Sequence, residues 1–126
     1  MHRSRLGGFI IDCRTGDLNA AADFWSAALG LEERGLDADG NKYVRLDGTS
    51  RDMTIEVQQV THESRVHLDI DADDVEAEVA RLEKLGAKRV EAIKSWVVME
   101  APTGQRFCVV KAKVELEGRA GVRRWE

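Results

Sequence analysis

His67, Glu56, Cys108, Asp12 and Asp69 are the side chains of this 126-residue chain whose types and spacing could do chemistry. An imidazole beside a carboxylate can move a proton next to a carbonyl, with or without a divalent metal to polarise it. A carboxylate, an imidazole and a thiolate together suit zinc. Each residue also has a plainer reading. His67 can be a hydrogen-bonded structural histidine, and Glu56 beside Gln58 can belong to a solvated strand face. Cys108 can be a small buried apolar group, and Asp12 and Asp69 can bond turn amides. Trp96 can stack on a planar ligand or belong to the core. His2 and His62, one terminal and one in a loop, have no motif around them, and Phe24 and Trp25 read as core.

The elements that must position these groups follow from periodicity. Residues 7–13 (GGFIIDC) read as a strand. From Asp17 to Leu29 the residues Leu18, Ala21, Ala22, Trp25 and Leu29 recur at helical spacing, and Gly30 supplies the stop. Residues 42–46 and 53–60 alternate as strands around the turn-like Asp47-Gly48-Thr49-Ser50, and 31–35 fits a short edge strand. The pattern then restarts. Residues 65–71 alternate, and Asp73 with Glu76 resembles a capping box. The helix it opens has the apolar face Val75, Val79, Leu82 and Leu85 and ends at Gly86. Strands follow near 89–92, 96–101 and 106–111, with a turn at Pro102-Thr103-Gly104-Gln105.

Laid over each other at an offset of 57, Ile10 falls on His67, Asp12 on Asp69, Asp17 on Asp74, Leu18 on Val75 and Ala22 on Val79. Such an internal repeat outranks any single motif. The expected architecture is α+β: two βαβββ repeats forming a curved eight-stranded mixed sheet around a cleft, helices outside. The repeats span about 7–60 and 65–112 of a single domain. The charged tail 113–126 is expected to fray, with packing of Trp125 on a partner subunit as the alternative.

Strand alternation separates the faces. Phe9, Ile11, Ile55, Val57, Val66, Leu68, Ile70, Phe107 and Val109 are assigned to the helix side. Ile10, Asp12, Thr54, Glu56, Gln58, His67, Asp69, Asp71, Arg106, Cys108 and Val110 take the opposite side. One solvated sheet face would explain the polar groups there. Carboxylates, an imidazole and a thiol from four strands are nevertheless a chemically useful mixture.

Composition excludes several classes. A 43% hydrophobic, 33% charged chain of this length buries a core unaided, and a net charge of −4 leaves no footprint for nucleic acid. Uninterrupted apolar runs reach four residues, far below the ~20 of a membrane span. The basic start Met1-His2-Arg3-Ser4-Arg5 lacks an apolar stretch after it, so no secretion signal is expected. Cys13 and Cys108, without CxxC spacing, fit two free thiols in a reducing cytoplasm.

Residues 11–13 (IDC), 22–25 (ADFW) with Leu29-Gly30, 65–70 (RVHLDI), 78–86 (EVARLEKLG) and 102–109 (PTGQRFCV) resemble the vicinal oxygen chelate superfamily. That superfamily includes glyoxalase I, extradiol dioxygenases and bleomycin or fosfomycin resistance proteins, and the likeness is strongest to small bacterial glyoxalase-like domain proteins. It covers roughly residues 8–112. The resemblance implies metal-ligand positions at Ile10, Glu56, His67 and Cys108, of which Ile10 cannot ligate. Asp12, two residues along on the same face, is a substitute with a different reach. The expected function is therefore small-molecule binding without the full metal site. The ligand would be met by Asp12, Glu56, Gln58, His67, Asp69, Trp96, Arg106 and Cys108. The alternative is a metal-dependent lyase or isomerase using Glu56 and His67 as ligands or acid–base groups. No cofactor is expected, zinc being the alternative with Glu56, His67 and Cys108 as its candidates. A homodimer is expected, as related proteins commonly pair and a curved sheet leaves edges to cover.

Overall fold

The computed structural model describes residues 1–36, 42–48 and 52–126. They form two compact units, Gly8–His67 and Met1–Gly7 with Leu68–Glu126. Strands β1 (His2–Arg14) and β5 (Arg65–Ala72) contribute to both.

In the Gly8–His67 unit, β1 runs parallel to β4 (Thr54–Val60). Strand β4 pairs antiparallel with β3 (Tyr43–Asp47), and β3 with β2 (Glu32–Leu36). Helix α1 (Leu18–Leu29) starts where the Asp17 carboxylate accepts from the amide of Ala20, and ends at Gly30. Gly30 has φ 69°, the left-handed conformation that glycine adopts without penalty. The helix buries Leu18 and Ala22 against Val44, Leu46 and Val57, with Trp25, Ile55 and Cys13 at the margin. Gly8 is required for close approach, because a Cβ there would fall 2.0 Å from the carbonyl oxygen of Thr54.

The other unit repeats the plan. Strand β5 runs parallel to β8 (Arg106–Lys111), β8 antiparallel to β7 (Trp96–Glu100), and β7 antiparallel to β6 (Lys88–Ile93). Helix α2 (Val75–Lys84) buries Val79 and Leu82 on Ala72, Val97, Met99 and Val109. Its cap is Asp74, which accepts from the amide of Ala77. Asp73 instead accepts from the backbone N–H of Arg3, and Glu76 pairs with Arg89, so the Asp73–Glu76 box expected from sequence is replaced. Asp17 and Asp74, 57 residues apart, do the same job in both copies.

The α+β class and the two βαβββ copies are present, each with a mixed sheet. Three features differ from expectation. Strand β1 begins at His2, earlier than the apolar run suggests. The tail forms a ninth strand, β9 (Arg123–Trp125), antiparallel to the start of β1, and Leu116 is wholly buried. Val66 and Leu68, assigned to the helix side, are 60% and 43% exposed, and Phe24 is exposed as well. The physical reason is coverage: α1 packs on β2, β3 and β4, and α2 on β6, β7 and β8, leaving the start of β5 bare. Thr49 and Ser50 of the expected turn lie outside the described residues.

Candidate functional site

In the Gly8–His67 unit, Ile55 and Val57 go to the α1 core, so Glu56 and Gln58 take the opposite side of β4. The register sets Ile10 of β1 beside Glu56, and Asp12 beside Gln58. Across the next ladder, Tyr43 faces Gln58 and Arg45 faces Glu56. Gln58 Nε2 donates to the Tyr43 hydroxyl at 2.8 Å, which orients both groups. Tyr43 is absent from the sequence-based set. Its signal was available: Val44 and Leu46 alternate into the core, so Tyr43 and Arg45 must share the polar face.

Asp12 is the centre of this face. Its side chain is 1% exposed, and its Oδ2 lies 2.8 Å from Nδ1 of His67, itself 10% exposed. Nε of Arg65 donates to the same oxygen at 3.4 Å, and Arg65 Nη2 lies 3.5 Å from Nε2 of His62. Asp12 Oδ1 is buried and has no hydrogen-bond partner among the described residues. A carboxylate on one ring nitrogen fixes the orientation of an imidazole.

In the other unit, Ala72, Val109 and Val97 pack toward α2, so Asp69, Cys108 and Val98 lie on the opposite side. Asp69 is the register partner of Cys108, and Cys108 of Val98. Both Asp69 and Cys108 are half-buried. Trp96, half-buried at the start of β7, is on the same side as Val98 by alternation. Arg106 is exposed and pairs across the ladder with Glu100 at 3.1 Å, a solvated arrangement. Cys13 and Cys108 are both free thiols. Cys13 belongs to the helix side, where burial pushes its thiol up, and its Sγ is 3.6 Å from the carbonyl of Ile11.

This fold belongs to a known class. The glyoxalase-like domain family matches residues 8–110, and the chain belongs to that family. Comparison with the curated proteins gives no match. Among solved structures, a hypothetical protein from Bacillus halodurans C-125 is similar with a TM-score of 0.65 at 12% identity, covering 91% of this chain and 99% of that one. Methylmalonyl-CoA epimerase from Mycobacterium tuberculosis gives 0.63 at 17%, covering 89% and 90%. A glyoxalase/bleomycin resistance protein/dioxygenase superfamily member from Vibrio splendidus 12B01 gives 0.55 at 17%, covering 82% and 96%. At these identities the likeness is one of fold. No helix among the described residues is long and apolar enough to cross a membrane.

The metal set that the family resemblance carries onto Ile10, Glu56, His67 and Cys108 does not fit this chain. Ile10 is 2% exposed, a hydrocarbon packed beside Glu56 where a donor atom would be needed. Asp12, two residues along, holds His67 and Arg65 through Oδ2, while its Oδ1 is buried and has no hydrogen-bond partner among the described residues.

Proposed function

We propose that this chain binds a small oxygenated molecule on the polar face of β1 and β4 together with His67, without the complete metal set of its metal-dependent relatives. One observation carries the reading: buried Ile10 occupies the first ligand position, while Asp12, Glu56, Gln58 and His67 keep the surrounding face polar. Pockets that pair a few placed polar groups with apolar walls suit small ligands. The protein acts as a homodimer and needs no cofactor. Ligand-observed NMR with a panel of small carboxylates, ketones and diols tests the reading, with light scattering for the dimer. A hit whose affinity falls at least tenfold in His67→Ala is expected, a loss of about 1.4 kcal/mol. Hits that bind His67→Ala unchanged would remove this face from the reading.

A second reading, a lyase or isomerase, is favoured by the 2.8 Å contact between Asp12 and His67. An epimerase shares the fold, so isomerase chemistry is available to it. Here His67 or Glu56 would take a proton from carbon next to a carbonyl. Deuterium uptake from D₂O into 2-oxo acids and thioesters, lost in His67→Gln or Glu56→Gln, is the expected result. No uptake across the panel would leave binding alone.

A further inference from the structure

We infer that Asp12 Oδ1 is a ligand-recognition atom that takes the hydrogen of a neutral hydroxyl or amide N–H, so that the polar face of β1 and β4 selects hydrogen-bond donors. This rests on the binding reading proposed above and names the ligand class for it. Cys13 lies against the α1 core, so alternation turns Asp12 to the opposite side of β1, beside Gln58. The Asp12 side chain is buried, and its two oxygens are in different states. Oδ2 lies 2.8 Å from Nδ1 of His67 and accepts from Nε of Arg65 at 3.4 Å. Oδ1 has no hydrogen-bond partner among the described residues. The register partner Gln58 donates elsewhere, from Nε2 to the Tyr43 hydroxyl at 2.8 Å. A buried acceptor left without a donor is costly, so Oδ1 is a standing demand for a hydrogen.

One kind of group answers that demand. An ether or carboxylate oxygen offers no hydrogen, and a carboxylate would also set a second negative charge against the first. The Arg65 guanidinium stays protonated and already balances the charge of Asp12. The missing contact therefore calls for a hydrogen and not for a further cation. A neutral hydroxyl or amide N–H supplies it. Glu56, Gln58 and Tyr43 are half-buried and Arg45 is exposed, so this face opens to solution. A ligand that presents the hydrogen gains a charge-assisted bond away from water, and one without it leaves Oδ1 unmet.

Matched probes test this in buffer containing EDTA, where no cation can mediate the contact. Hydroxyacetone and methoxyacetone differ by the hydrogen in question, as do acetamide and N,N-dimethylacetamide. In NMR titrations of the full chain, at least one donor is expected to bind about tenfold or more tightly than its methylated partner. The pair that shows this names hydroxyl or amide as the source. Asp12→Asn should abolish the preference. Arg65 still needs an acceptor, so the amide oxygen turns to it and the NH₂ group takes the place of Oδ1. Equal binding of donor and methylated members by wild type overturns the inference, as does a preference that survives in folded Asp12→Asn. So does a crystal structure in which a water stays on Oδ1 while hydroxyacetone binds elsewhere on the face. The wild-type comparison decides even if the variant misfolds. Binding that weakens in His67→Ala but ignores methylation sinks this inference alone. No binding by any of the four probes or by the wider panel sinks the binding reading, and this inference with it.

Discussion

The carboxylate of Glu78, wholly buried on α2, lies 2.8 Å from Nε2 of His2, the first residue of β1. Ser4 Oγ donates to its second oxygen at 2.8 Å, and Arg81 grips both oxygens at 2.7 and 2.8 Å. Arg81 in turn lies over the Trp125 ring, 3.8 Å from its centroid, and Trp125 Nε1 donates to Ser4 Oγ at 2.9 Å. One buried carboxylate therefore ties β1, α2 and β9 together within a single unit. A buried charge is tolerated only when fully paired, and removing its partner costs more than the pair itself is worth.

Glu78→Ala is expected to destabilise the protein by about 2–4 kcal/mol, since it strands His2, Ser4 and Arg81 without their shared acceptor. Urea unfolding checks this. A loss below about 0.5 kcal/mol would place the network among surface pairs of little worth.

Acid should act through the same residue. Burial alone would raise the Glu78 carboxyl, but hydrogen bonds from Arg81, His2 and Ser4 outweigh it and hold the group down to about 2, against an ordinary 4.5. A depressed folded-state value means stability that is present above pH 4.5 and drains away as pH falls from 4.5 toward 2. Unfolding midpoints between pH 6 and pH 3 should drop more steeply for wild type than for Glu78→Gln. Parallel curves would reject the assignment.

This network also shows where the sequence stops being legible. The two cores could be read from spacing, because Leu18/Ala22 and Val79/Leu82 repeat at helical period over strands that alternate. The start of β1 could not, since His2, Arg3, Ser4 and Arg5 have no apolar alternation, and their burial comes from partners about 70 residues away. Trp125 reads as a frayed end for the same reason. Within the candidate site, alternation placed Asp12 and His67 on polar sides, but nothing local reveals that they bond across 55 residues. Val66 and Leu68 erred the other way: their alternation is good, but no helix among the described residues covers them.

Trp125→Ala should cost about 1–3 kcal/mol through lost stacking on Arg81, the lost bond to Ser4 and weaker β9 pairing. Amide hydrogen exchange at residues 2–4 should rise by at least tenfold. Protection unchanged there would mean that β9 is not needed to hold the start of β1.

Gly8→Ala places a methyl 2.0 Å from the Thr54 carbonyl oxygen, a contact that only backbone movement can relieve. A loss of about 3 kcal/mol is expected, at the upper end of overpacking costs. A thermal midpoint within about 2 °C of wild type would show that β1 and β4 separate easily.

The metal reading is open to a direct gain-of-function test at Ile10. In a parallel ladder, register partners project to the same side with strands about 4.8 Å apart, so a side chain at position 10 stands beside Glu56. Replacing the buried isoleucine by histidine puts a nitrogen donor next to that carboxylate, on the strand that also carries Asp12 and, through it, His67. Nitrogen and carboxylate donors suit Zn²⁺ and Ni²⁺, whereas Mg²⁺ wants oxygen alone. Ile10→His should therefore bind Zn²⁺ or Ni²⁺ at least tenfold more tightly than the parent in titration calorimetry, with little change for Mg²⁺. Glu56→Gln in the same background should return the affinity toward the parent's, because one donor of the rebuilt set is lost. An Ile10→His protein that folds and gains no affinity would mean that Glu56 and position 10 do not share a ligand sphere. Stoichiometric metal on the parent, lost in His67→Ala, would favour the lyase or isomerase over the binding protein.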